Sequence, residues 1–431
     1  VLVEIKRDRY LKRLISKKNN GLIKVITGIR RSGKSYLLFN LYHDYLISSG
    51  IPESNIISVS LDDDEFIEYC DPHRLSLYIK DRTADKSQNY YVFIDEAQYA
   101  ISKEEMKNPD IPIRLYGVLN GLLRQRNVDV YITGSNSKFL SSDIMTEFRG
   151  RGDEIHVNPL SFSEYYPVAV KDKAEAWNDY LYYGGLPHIL AETDGESKSN
   201  YLDRLNEEIY LRDICEHYGI RDESGIESLM KVLASSVGSL SNAQRISDTF
   251  KSSGDKGISM LTISNYLRYL QESFIIQKAE RYDIKGRKFI STPSKYYYTD
   301  LGLRNALLNF RQFEQTHLME NAIYNELIYR GYRVDVGVVE DRVKEGSKSA
   351  YRQLEVDFVV NQSSNRYYIQ SAYAISDMQK MEQEQASLVK IPDSFRKFII
   401  VNGNTPLWRN EEGITIMGVF DFLLNENSLD L

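Results

Sequence analysis

Cysteine is almost missing from this chain: Cys70 and Cys215 are the only two in 431 residues. They stand far apart and without metal-ligand spacing, which excludes a disulfide framework or a zinc array and fits a reducing cytoplasm. No apolar run approaches the roughly 20 residues that a membrane-spanning helix needs. The N-terminal residues show no leader pattern of basic charge followed by an apolar stretch. The expectation is a cytoplasmic protein with no membrane partner. Basic charge is not in excess: 54 Lys and Arg against 61 Asp and Glu give a formal charge of −7. That excludes a globally basic nucleic-acid coat but leaves room for a local basic face. What is present, 42% hydrophobic and 27% charged residues, is the composition of a globular protein. The length exceeds one ordinary core, so roughly two to four domains are expected. The 32 tyrosines are scattered and read mainly as half-buried packing.

The most informative segment is Gly28-Ile29-Arg30-Arg31-Ser32-Gly33-Lys34-Ser35, which matches the phosphate-binding pattern GxxxxGK[S/T]. Its context agrees. Leu22 to Thr27 is an apolar, β-branched run that predicts a strand, and Tyr36 to Ser49 predicts a helix stopped by Gly50. A loop between a strand and a helix N-terminus aims several backbone N–H groups at one point, where the helix dipole adds positive potential. Polyphosphate is the natural ligand, bound along Gly28 to Tyr36. Lys34 is placed to reach the β- and γ-phosphates, and the Ser35 hydroxyl to hold Mg²⁺.

Tyr90-Tyr91-Val92-Phe93-Ile94 is a buried-strand run that ends in Asp95-Glu96. Acids at the carboxyl edge of a parallel sheet lie where such sheets bind ligands. Asp95 is placed to hold Mg²⁺ and Glu96 to polarise an attacking water. Along the chain one strand, Ile56 to Ser60, separates the phosphate-loop strand from the acidic strand. Another, Val128 to Thr133, follows it and ends in Gly134-Ser135-Asn136. With these features the chain resembles AAA+-type ATPases of the additional-strand, catalytic-Glu class. The resemblance implies a polar γ-phosphate sensor at this point, Ser135 or, preferably, Asn136.

Phe148-Arg149-Gly150-Arg151-Gly152 and Asn158-Pro159-Leu160-Ser161-Phe162 narrow the resemblance. Together with GIRRSGKS, DEAQ and TGSNS they look like a prokaryotic ATPase family that carries an AAA+ domain and a C-terminal domain of uncertain function. The resemblance implies that Arg149 or Arg151 contacts the γ-phosphate, in many such ATPases that of a neighbouring subunit. It also implies that Pro187, in Tyr183-Gly184-Gly185-Leu186-Pro187, packs on adenine; a plain helix-ending turn is the alternative.

Beyond the core, residues 161–220 predict helices that would form a small lid. Residues 221–312 read as three helices and two strands joined by the basic stretch Arg281 to Lys288, the pattern of a winged helix-turn-helix. Thr262, Asn265 and Arg268 would face a groove, with Arg287 and Lys288 meeting phosphates. An oligomer or regulatory module is the rival reading. Residues 313–431 predict a helix and strands. Glu320, Asp357 and Gln370 there resemble the metal-binding positions of the PD-(D/E)XK nuclease fold. The position of that fold's lysine is held by Ala372, which cannot stabilise developing charge, so the unit reads as a nuclease-like domain without chemistry. A cleaving enzyme would need a replacement lysine, such as Lys380 or Lys390.

The expected fold class is therefore α/β: a P-loop NTPase of AAA+ type over 1–160 with a helical lid, then a winged helix, then an α/β nuclease-like domain. The expected function is Mg²⁺-dependent ATP binding and hydrolysis that drives or switches a DNA-associated activity. A nucleotide-dependent switch that recruits a protein partner with slow turnover, and an ATP-gated DNA nuclease, are the alternatives. Homo-oligomerisation is left open.

Overall fold

A computed structural model of the chain describes residues 4–108, 110–134, 152–252, 258–345 and 348–431. It divides into two compact units, one of residues 4–159 with 272–274 and one of residues 160–271 with 275–431. Among the described residues, no helix is long and apolar enough to cross a membrane.

In the N-terminal unit, β1 (Ile23–Thr27), β2 (Ile56–Ser60), β3 (Tyr90–Asp95), β4 (Val128–Thr133) and β5 (Gly152–His156) form one parallel sheet in the order β2-β3-β4-β1-β5. β1, β3 and β4 are buried at every position. Parallel strands covered on both faces require such continuous apolar runs. The strand that follows β1 in the chain, β2, lies at the sheet edge beyond β3, and β4 is the strand between β1 and β3. Chain order and sheet order can differ because parallel strands are joined by crossovers that run over a sheet face.

One face is covered by α1 (Pro72–Arg82) and α2 (Arg114–Leu123), whose Leu75, Ile79, Leu115, Leu119 and Leu122 pack on Val25, Val92, Ile94, Val130 and Ile132. Each such side chain contributes about 1.5–3 kcal/mol by leaving water. Against Phe93 and Tyr131 of the sheet stands Tyr42, with ring centroids 5.9 and 5.0 Å apart. Tyr42 lies in the helical stretch 34–48, whose middle turns, Leu37–Tyr42, are wound as π-helix. Tyrosine is thus core material here: Tyr10, Tyr42, Tyr91 and Tyr131 are each at most 2% exposed.

The C-terminal unit holds the helices expected over 161–220, among them α3 (Lys173–Tyr183) and α4 (Gly195–Arg204). Three more follow, α5 (Glu223–Ser235), α6 (Ala243–Ser252) and α7 (Met260–Glu272). The hairpin after them is longer than the sequence suggests. β6 (Ile276–Asp283) and β7 (Lys288–Tyr298) run through most of the basic stretch and leave a turn at 284–287. These strands do not stand alone. With β8 (Arg333–Glu345), β9 (Lys348–Gln362), β10 (Asn365–Ala372), β11 (Arg396–Val401), β12 (Trp408–Arg409) and β13 (Thr415–Gly418) they form one eight-stranded mixed sheet, ordered β12-β13-β11-β10-β9-β8-β6-β7. β6 joins β8 through a short parallel pairing, Arg281 opposite Val336 to Asp283 opposite Val338. The hairpin and the strands of residues 333–418 therefore share one sheet. α8 (Leu301–Leu307) and α9 (Gln315–Tyr329) follow the hairpin, and both are buried along most of their length.

Candidate functional site

The loop 28–33 takes its shape from residues that tolerate positive φ. Gly28 has φ 137° and Gly33 has φ 92°, while Arg31 is held at φ 64° against its preference. A Cβ on Gly28 would lie 2.2 Å from the carbonyl oxygen of Val157, so only glycine fits this close approach. Arg7 fixes the loop from below: its guanidinium is buried and donates to the Ser32 carbonyl at 3.2 Å and to the Asn158 carbonyl at 2.6 Å. Arg30 is half-buried and Arg31 exposed. Tyr36 lies half-buried in the first helical turn, its hydroxyl raised by burial and next by the charge of Glu4.

Lys34 opens the helix and is 4% exposed. Its ammonium donates to the carbonyls of Gly28 at 3.1 Å and Ile29 at 3.0 Å. Burial pulls its pKa down to about 8, although Glu96 and Asp95 oppose the fall. A buried ammonium held by carbonyls alone gains when an anion arrives. Ser32 is also buried, and its Oγ has no hydrogen-bond partner among the described residues. A loop with an under-neutralised lysine and an orphaned hydroxyl fits a polyphosphate such as that of ATP.

Both acids stand at the end of β3, with β4 between it and β1 in the sheet. Asp95 closes β3 and is 6% exposed; burial raises its pKa, partly offset by hydrogen bonds from the Thr133 and Ser35 hydroxyls. The structure thus joins Ser35 and Asp95, the two residues expected to hold Mg²⁺, and the oxygen donor set fits that ion. Glu96 follows at φ 48°, a left-handed position costly for a residue with a Cβ. Its N–H donates to Thr133 Oγ1 at 3.2 Å, and its carboxylate accepts from the Gln98 amide. Thr133, at the end of β4, therefore ties Asp95 to the backbone of Glu96. The sequence reading passed over Thr133 and Arg7. Thr133 could have been found as the polar end of the strand beside the acids; nothing in the sequence marks Arg7 among its basic neighbours.

Asn136, Ser135, Arg149 and Arg151 lie outside the described residues. Pro187 belongs to the C-terminal unit, where it opens a short 3₁₀ turn, Pro187–Leu190. The glycines before it serve a local purpose. Gly185 N–H donates to Asp300 at 2.8 Å, and a Cβ on Gly184 would lie 2.2 Å from the same carboxylate.

The three nuclease-like positions do come together. Asp357 N–H donates to Gln370 Oε1 at 3.3 Å, and both Asp357 and Glu320 lie near one ammonium. That ammonium is neither of the lysines considered from sequence. Lys380 pairs with Glu384 at 2.6 Å and Lys390 with Asp341 at 2.9 Å. It is Lys295 of β7, with Glu355 as a further partner at 2.7 Å. Burial alone would lower Lys295, but Glu320, Asp357 and Glu355 hold it above its ordinary value. Asp357 is pushed up by burial and next by the charge of Glu320, with the Lys295 ammonium opposing the rise.

A family model described as "AAA domain" matches residues 20–166, and one described as "Domain of unknown function (DUF8612)" matches residues 174–314. Sheet, phosphate loop and acidic strand end together define a P-loop ATPase with an AAA domain. An uncharacterized protein of Haemophilus influenzae is 32% identical over 97% of this chain and 98% of its own length. The chain belongs to the family of that protein. An uncharacterized protein of Methanocaldococcus jannaschii is 28% identical over 90% of this chain and 82% of its own. Among solved structures, the Aeropyrum pernix ORC1 protein in complex with DNA is similar over 72% of this chain and 94% of its own at 15% identity. Its TM-score of 0.30 is too low to carry a conclusion.

Proposed function

We propose that this chain binds ATP with Mg²⁺ on the loop 28–35 and hydrolyses it by in-line attack of water on the γ-phosphate. The observation that carries this reading is the buried Lys34 ammonium, held by loop carbonyls and within electrostatic reach of Glu96 and Asp95 at the carboxyl edge of the parallel sheet. Backbone N–H groups of Gly28 to Ser35 hold the phosphates, and Lys34 neutralises the β- and γ-oxygens. Ser35 and Asp95 hold Mg²⁺, which when bound supplies further charge neutralisation at those oxygens. Glu96 orients the water and accepts its proton. Asn136 and an arginine, Arg149 or Arg151, complete the stabilisation of the γ-phosphate.

The hydrolysis cycle drives or switches a DNA-associated activity through residues 221–312, the helices and the hairpin that forms the edge of the C-terminal sheet. In support, Lys285, Arg287 and Lys288 form an exposed basic turn on a chain with a net charge of −7. Such a turn suits phosphate contacts, which carry most non-specific affinity for DNA. The test is ATP turnover of the full chain with and without duplex DNA, repeated with Arg287→Glu/Lys288→Glu. Stimulation by DNA that this variant loses supports the reading. Turnover indifferent to DNA moves it to a nucleotide switch with a protein partner.

A further inference from the structure

Lys295 is 2% exposed and its Nζ lies 2.9 Å from Glu320 Oε1, 2.7 Å from Glu355 Oε1 and 3.7 Å from Asp357 Oδ1. These acids come from separate elements, Glu320 from α9 and the other two from β9. The lysine comes from β7, with β6 and β8 between it and β9 in the sheet order. Further hydrogen bonds hold the cluster in place. Tyr297 Oη donates to Glu320 Oε1 at 2.7 Å, Ser371 N–H to Asp357 Oδ2 at 2.8 Å, and Asp357 N–H to Gln370 Oε1 at 3.3 Å.

The arrangement does not fit a divalent ion. A metal bound by Glu320 and Asp357 would need oxygen distances of about 2.0–2.6 Å, which puts it against an ammonium already at hydrogen-bond distance from Glu320. The ammonium would repel a divalent ion placed there. Lys295 sits on a strand paired with β6, opposite Ala279, and its side chain is held by the three acids. Among the described residues, no three His, Cys, Asp or Glu side chains converge as a metal site. Ala372, at the position where the nuclease pattern has lysine, is 1% exposed inside an apolar cluster with Val356, Val359 and Leu388.

We propose that Lys295 is itself the cation of this centre. Its ammonium stands where a divalent ion would have to sit, and the carboxylates form an internal ion-pair hub that takes no metal. The hub joins the edge hairpin to α9 and β9, and removing the lysine alone turns it into a metal site. The inference is independent of the ATP reading, because its readout is metal binding and not turnover.

The test is Mn²⁺ binding to the full nucleotide-free chain, followed by electron paramagnetic resonance. Wild type and Asp357→Asn should bind the same amount of Mn²⁺, since the cluster contributes none. Lys295→Gln should gain one equivalent per chain, and Lys295→Gln/Asp357→Asn should lose it again. Wild-type Mn²⁺ binding that falls in Asp357→Asn overturns the proposal. So does a folded Lys295→Gln, verified by circular dichroism, that gains no Mn²⁺. If Lys295→Gln does not fold, the wild-type comparison decides alone, with Glu355→Gln as a milder companion at the most exposed of the three acids.

Discussion

Nucleotide affinity should fall as pH rises from 7 to 9, and the cause is one group. Burial holds the free Lys34 near a pKa of about 8, against 10.5 for an exposed lysine. A phosphate beside it restores the charged form, so binding takes up a proton wherever the free protein has lost one. With a free pKa of about 8, the charged fraction drops from about nine-tenths at pH 7 to about one-tenth at pH 9. The apparent affinity should fall about tenfold over that interval. The same shift makes the empty loop costly at neutral pH, by about 3 kcal/mol for a depression from 10.5 to about 8. The sign follows, because the unfolded chain holds that proton more tightly. This contribution to stability is therefore unfavourable below pH 8 and fades as pH climbs towards 10.5. The assay is titration of a fluorescent ADP analogue with Mg²⁺ between pH 7 and 9, with calorimetry at pH 8.5 in buffers of different ionisation enthalpy. Proton uptake should accompany binding, and Lys34→Arg, charged throughout, should flatten the pH dependence. An affinity that stays level from pH 7 to 9 without proton uptake refutes the reasoning.

Thr133→Val should weaken Mg²⁺-nucleotide binding or slow turnover by about tenfold or more, the equivalent of the roughly 1.5–3 kcal/mol of a hydrogen bond to a charged group. Thr133→Ser, which keeps the hydroxyl, should recover most of it in a Mg²⁺ titration. Gly28→Ala places a Cβ 2.2 Å from the Val157 carbonyl oxygen at φ 137°. It should cost about 2 kcal/mol or more of stability, read as a lower melting temperature together with loss of nucleotide binding; an unchanged melting curve would show that the loop relaxes freely.

The phosphate loop and the acidic strand were legible in the sequence because their signals are local. Gly28 to Ser35 carries its own turn chemistry, and Tyr90 to Asp95 is a continuous apolar run with the acid at its end. What the sequence hid is long-range. Nothing around Arg281 announces that it pairs beside Val336, so the hairpin read as the wing of a separate module and not as the edge of the C-terminal sheet. In the sequence Lys295 stands beside Tyr296, Tyr297 and Tyr298 with nothing to mark it. The acids that hold it lie 25, 60 and 62 positions further on, at Glu320, Glu355 and Asp357, and only the fold brings them together. β13 is hard to read from sequence for a simpler reason: four residues, Thr415–Gly418, are too few for a pattern of period two to stand out.

The central claim, hydrolysis of ATP at the Lys34–Asp95–Glu96 site, is tested most directly by phosphate release and nucleotide binding measured side by side on three proteins. Wild type should bind ATP and release phosphate with Mg²⁺. Lys34→Ala should lose binding and turnover together, and Glu96→Gln should keep ATP bound while turnover falls by at least about a hundredfold, the lower range of a lost general base. Phosphate release that persists at the wild-type rate in Lys34→Ala contradicts the account.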